Sequence, residues 1–185
     1  MRTLNLKFIW KNLVELDFII LVVIAILLFF LFYILASVKE GKISIQFQRN
    51  KLVFGIIAAS YVAVLLQVML LNRTRKECYE ITLIPFWSYK EYFESKRYML
   101  LIQMIYNVLA FIPWPILFAK VFPIMRKFLW SIGSAFLFSL FIETMQLIFK
   151  LGMFEFDDMF HNVMGALIGY GILMFWEKMR KNDRN

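Results

Sequence analysis

The sequence predicts an all-α integral membrane protein of about five transmembrane helices, with an interfacial loop between the second and the third. Composition is the first reason. Of 185 residues, 62% are hydrophobic and 18% aromatic, only 18% are charged, and the mean hydropathy is +0.69. A soluble globule of this size cannot cover 21 Phe, 8 Tyr and 5 Trp with so few polar groups, whereas a hydrocarbon layer of about 30 Å accepts helices of about 20 apolar residues. The second reason is that uncharged runs of that length recur along the chain. The third is that the 21 Lys and Arg, set against 13 Asp and Glu, flank those runs. Juxtamembrane cations suit anionic headgroups, so the positive charge argues for a lipid bilayer and against nucleic acid as a partner.

Residues 1–17 place Arg2, Lys7, Lys11, Glu15 and Asp17 among Leu, Phe, Ile and Trp10, a pattern for an amphipathic segment in the headgroup layer. The apolar run that follows is too long for a signal-peptide core and shows no small-residue cleavage site, so it is expected to remain as an anchor. Residues 18–71 hold two predicted spans, Phe18 to Val38 and Leu52 to Leu71. The segment 72–97 mixes Arg73, Arg75, Lys76 and Lys96 with ITLIPFWSYKEYF. Its Trp87, Tyr89, Tyr92 and Phe93 suit the aromatic belt at headgroup level, and Pro85 is expected to break any helix there.

The third span, Tyr98 to Phe118, contains Gln103, Asn107, Pro113 and Pro115, and the prolines predict a kink or an unwound turn. The fourth, Phe128 to Phe149, carries Glu143 and Gln146. For the fifth, only Val163 to Trp176 lacks strongly polar groups, so a full span must start near Asp158 and draw His161 and Asn162 to membrane depth. Residues 177–185 form a basic tail. Nothing in the composition splits the chain into separate domains, and Cys78 is its only cysteine.

Five spans place 10 Lys and Arg on one side and 11 on the other, nearly a tie. The basic loop 119–127 and the basic tail break it toward the cytoplasm. The N-terminus, the 72–97 segment and the acidic 150–158 turn are then expected outside, and the localisation is a multi-pass protein of the cell membrane.

Ionisable groups at membrane depth are costly and point to a site. Ser139, Glu143, Gln146 and Lys150 follow one helical stripe on the fourth span, and Asp158, Asn162, Gly165 and Gly169 follow one on the fifth. Gly165 and Gly169 form a small-residue patch for close helix approach. A short connection makes the two spans an antiparallel pair, which gathers Glu143, Gln146, Asp157, Asp158 and Asn162 at one end in a predicted polar pocket, roofed by the 72–97 segment. One of the two adjacent aspartates is expected to cap the fifth span, leaving the other for binding or catalysis. Glu143 is either a hydrogen-bonded structural residue or a functional one. His161 is either a packing residue, a proton carrier or part of a metal site, though a lone histidine supplies no ligand set. No cofactor or metal is implied, and GxSxG, HExxH and P-loop patterns are missing from the sequence.

These residues resemble the VanZ-like family, which is named for an accessory protein of teicoplanin resistance. The resemblance rests on LIPF at Leu83 to Phe86, Asn107 followed by FIP at Phe111 to Pro113, Glu143 with Gln146, FEFDD at Phe154 to Asp158, and Asn162, Gly165, Gly169 and Tyr170. It covers 72–176 and leaves the N-terminal spans aside. Thr82, Pro115 and Gly152 depart from residues usual in the family, and the last removes an arginine that would have neighboured the aspartates; Lys150 or the 72–97 segment is the expected substitute. The resemblance implies a protein that lowers susceptibility to teicoplanin-type lipoglycopeptides or acts otherwise in envelope physiology. Its ligand-binding candidates are Glu143, Gln146, Asp157, Asp158, His161, Asn162 and Asn107, facing a lipoglycopeptide or a lipid-linked cell-wall precursor. A membrane-embedded enzyme acting on such a precursor is the alternative, and self-association as a homo-oligomer stays open.

Overall fold

The computed structural model describes residues 49–71 and 77–183. Among them four helices are long and apolar enough to cross a membrane: Val53–Leu70, Tyr98–Val121, Phe128–Phe149 and Phe156–Asn182. The amphipathic segment 1–17 and the predicted span Phe18 to Val38 lie outside the described residues. The chain divides into two compact units, Met1–Thr74 and Arg75–Asn185.

In the first unit, α1 (Arg49–Leu66) passes into a π-helical turn, Gln67–Leu71. Its buried side is built from Ala58, Ala59, Ala63, Leu65 and Met69.

The second unit runs β1 (Ile81–Thr82), α2 (Trp87–Ser95), α3 (Tyr98–Phe111), α4 (Pro113–Val121), a 3-10 turn (Pro123–Arg126), α5 (Phe128–Phe149), β2 (Phe154–Glu155) and α6 (Phe156–Asn182). Helices α3 and α4 make one span interrupted at Ile112. Pro113 has no N–H to continue the ladder and its ring crowds the preceding turn, so the predicted kink falls there. Trp114 locks the interruption in place. Its ring stacks between Phe111 (5.9 Å) and Phe138 (4.7 Å), and its Nε1–H donates to Ser134 Oγ at 3.0 Å, satisfying a polar atom that burial would otherwise strand.

Helix α6 packs against α3, α4 and α5. Its buried residues Asp157, His161, Gly165, Gly169 and Leu173 recur every four positions, with Asn162 and Ala166 beside them. The glycines are obligatory. A Cβ on Gly165 would collide with the backbone carbonyl of Val108, and one on Gly169 with that of Ile112, so α6 lies directly on the α3–α4 backbone.

Two boundaries differ from the sequence reading. Helix α6 begins at Phe156, near Asp158 as expected, but it continues through 177–182, so most of the basic tail is helical. At 1.5 Å per residue its 27 residues span about 40 Å, longer than the hydrocarbon layer. In the 72–97 segment Pro85 does not prevent a helix; α2 starts two residues after it. Phe86, at the N-cap, takes the left-handed conformation (φ 63°), which is unusual for a bulky residue and must be held from outside.

Candidate functional site

The end of the second unit at which α5 hands over to α6 collects most of the predicted site residues. Lys150 ends α5 in the left-handed conformation (φ 58°), and Leu151 N–H closes the turn on Gln146 O at 2.8 Å. The chain then forms the parallel pair β1–β2, with Ile81 opposite Phe154 and Thr82 opposite Glu155. Phe154 N–H donates to Glu80 O at 2.9 Å. This pairing draws the 77–97 segment onto the α5–α6 turn, as the sequence expected of a roof.

Asp157 fixes that roof. Its Oδ1 accepts the Phe86 N–H at 2.7 Å and its Oδ2 the Ser88 N–H at 2.8 Å. Phe86 is the N-cap of α2 and Ser88 lies in its first turn. These amides are orphan donors at a positive helix end, where a carboxylate is the favoured acceptor. So Asp157 caps a helix about 70 positions away in the chain instead of its own. The N-cap of α6 is Glu155, with no side-chain cap bond, which corrects the expectation that Asp157 or Asp158 would cap it. Asp157 needs no neighbouring cation, because backbone dipoles do the work an arginine would.

Three further contacts surround this clasp. Ser88 Oγ donates to Glu155 Oε2 at 3.4 Å, and Glu155 N–H donates to Glu143 Oε2 at 3.1 Å, tying α5 to the start of α6. Tyr89 Oη and His161 Nε2 are hydrogen-bonded at 2.8 Å. Deeper along the pair, Asn162 Nδ2 donates to Ser139 Oγ at 2.8 Å.

The predicted pocket is therefore a closed cluster: Ser139, Glu143, Gln146, Asp157, His161 and Asn162 are each 3% exposed or less. Two of their atoms, His161 Nδ1 and Asn162 Oδ1, are buried and have no hydrogen-bond partner among the described residues. Leaving such groups unsatisfied costs about 1–3 kcal/mol each.

Other candidates fall elsewhere. Asp158 is only half-buried, so the acidic member of the α6 stripe is Asp157 and not Asp158. Lys150 leaves the α5 stripe; its Nζ donates to Glu77 O at 2.9 Å and lies 4.3 Å from the centre of the Tyr79 ring. Asn107 is buried on α3 beside Val108, but no hydrogen bond among the described residues joins it to the cluster. Sequence reasoning missed Ser88 and the pairing of Tyr89 with His161. Their only signal was proximity to LIPF. Among the described residues no three His, Cys, Asp or Glu side chains are grouped to hold a metal ion.

The Tyr89 hydroxyl is held above the usual phenol value of 10.0, first by burial and then by the charge on Asp157. A raised folded-state value means that the stability it contributes is intact below about pH 10 and is lost as pH rises through that higher value. Ultraviolet titration is expected to show a late-ionising tyrosine class that loses one member in Tyr89→Phe. An unchanged late class would contradict the assignment.

A family model described as VanZ/LLP1 matches residues 18–177, reaching well upstream of residue 72, where the resemblance in the sequence begins. No curated protein and no solved structure matches the chain.

Proposed function

The chain belongs to the VanZ/LLP1 family, and on that premise we propose that it is a multi-pass cell-membrane protein that lowers susceptibility to teicoplanin-type lipoglycopeptides. It does so by holding an amphiphilic envelope ligand at the end where α2 is clasped. One observation carries this reading: Asp157 fixes the LIPF loop and α2 across the α5–α6 turn while their apolar side chains stay outside. Leu83, Ile84, Phe86 and Phe93 are each about 60% exposed. Such a rim suits an acyl or prenyl chain, and the acidic groups beside it, Asp158 among them, suit amine or amide groups of a polar head.

The enzyme alternative would use Glu143, Asp157 or Asp158 as base or metal ligand and His161 as proton carrier. A general base must present an oxygen to the proton it takes. Asp157 already gives both oxygens to backbone N–H groups, and Glu143 Oε2 accepts from Glu155 N–H. These bonds commit Asp157 to the clasp and leave Asp158 as the acid that an enzyme reading has to use.

The test is expression in a teicoplanin-susceptible Gram-positive host, with wild type and Asp158→Asn matched for membrane abundance. Inhibitory concentrations for teicoplanin and vancomycin are then read side by side. The expected result is protection against teicoplanin alone, reduced several-fold in the variant. No protection by well-expressed wild type would sink the resistance reading.

A further inference from the structure

The charges are balanced at one end of the second unit and strongly basic at the other. At the clasped end, residues 72–97 and 150–158 carry seven Asp and Glu against seven Lys and Arg; at the other, residues 119–127 and 177–183 carry six Lys and Arg against two acids. The loop and the helix tail that supply those six cations are held together. Arg126 Nε is 3.3 Å from Glu177 Oε1, and Tyr170 Oη donates to Arg126 O at 2.9 Å. Lys127, Lys178, Arg180 and Lys181 are exposed and form no ion pair among the described residues.

A second observation fixes the level of these cations relative to lipid. Trp130 and Trp176, 57% and 58% exposed, lie three residues inside Lys127 on α5 and two residues inside Lys178 on α6. Exposed tryptophans at matching depth on two helices mark the boundary between hydrocarbon and headgroups. The cations sit just beyond it, where lipid phosphates lie.

We propose that this end is a docking surface for anionic glycerophospholipid, with Lys127, Lys178, Arg180 and Lys181 meeting the phosphate and Trp130 and Trp176 meeting the upper acyl chains. The surface is separate from the amphiphile reading of the clasped end and stands without it.

The test reconstitutes the full chain in vesicles of brominated phosphatidylglycerol or brominated phosphatidylcholine and compares quenching of tryptophan fluorescence. Wild type is expected to favour the anionic lipid by roughly threefold or more at low salt, with the ratio falling toward one as salt screens the charges. Combining Lys127→Gln, Lys178→Gln, Arg180→Gln and Lys181→Gln is expected to bring the ratio to about one at low salt. Combining Trp130→Phe and Trp176→Phe is expected to remove the preference from the signal. A wild-type ratio of one, a ratio indifferent to salt, or a preference that survives the charge substitutions would overturn the proposal; the salt series decides it even where the fourfold variant does not fold.

Discussion

Asp157→Ala is expected to lower stability more than any other truncation at the clasped end, by about 3 kcal/mol, since each hydrogen bond to a charged acceptor contributes about 1.5–3 kcal/mol. Two donors, Phe86 N–H and Ser88 N–H, lose their acceptor together. The left-handed Phe86 loses the restraint that holds it, and the apolar rim of LIPF is freed with it. Asp157→Asn should fall between, because its amide oxygen still accepts one N–H while its NH₂ faces a second donor. Asp158→Ala should cost about 1 kcal/mol or less, as for a half-exposed position outside the clasp. Thermal unfolding in detergent micelles reads the three in order. Equal losses for Asp157→Ala and Asp158→Ala would contradict the assignment of the cap.

The second large effect concerns the helix interface. Gly165→Leu or Gly169→Leu is expected to cost at least 3 kcal/mol, beyond the 1–3 kcal/mol usual for overpacking, because the colliding partner is backbone. The Val108 and Ile112 carbonyls belong to the α3–α4 span and cannot rotate aside as a side chain would. Even Ala should be destabilising at both positions. Gly133 and Gly171 provide the contrast, since a Cβ there meets nothing within 4 Å. Gly133→Ala and Gly171→Ala should be neutral or stabilise by up to about 1 kcal/mol through helix propensity. Similar losses at all four glycines would show that close approach is not what Gly165 and Gly169 serve.

Much of this was legible in the sequence, and the part that was not has a physical reason. Apolar length and interrupting prolines located the spans from Leu52 onward and the kink near Pro113. Helical spacing correctly paired α5 with α6 and put Glu143, Gln146 and Asn162 at one end. Spacing could not distinguish Asp157 from Asp158. Adjacent residues lie about 100° apart on a helix, and either aspartate could have been the one turned to the cluster. The role of Asp157 was also out of reach, since its partners are backbone amides in a segment about 70 positions away, and backbone donors leave no trace in residue type. LIPF was visible as a motif, but its function as the loop that presents Phe86 and Ser88 amides to a carboxylate emerges only from the tertiary fold. The closed state of the cluster was likewise invisible, because spacing places polar residues on a face without saying what lies over it.

One buried carboxylate, that of Asp157, holds the LIPF loop and α2 onto the α5–α6 turn. Amide hydrogen exchange of the reconstituted protein at Phe86 and Ser88 tests it most directly. In wild type these two amides should be among the slowest in residues 77–97, should exchange far faster in Asp157→Ala, and should keep their protection in Asp158→Ala. Fast exchange at both amides in wild type, or protection that persists without the Asp157 carboxylate, would contradict the claim.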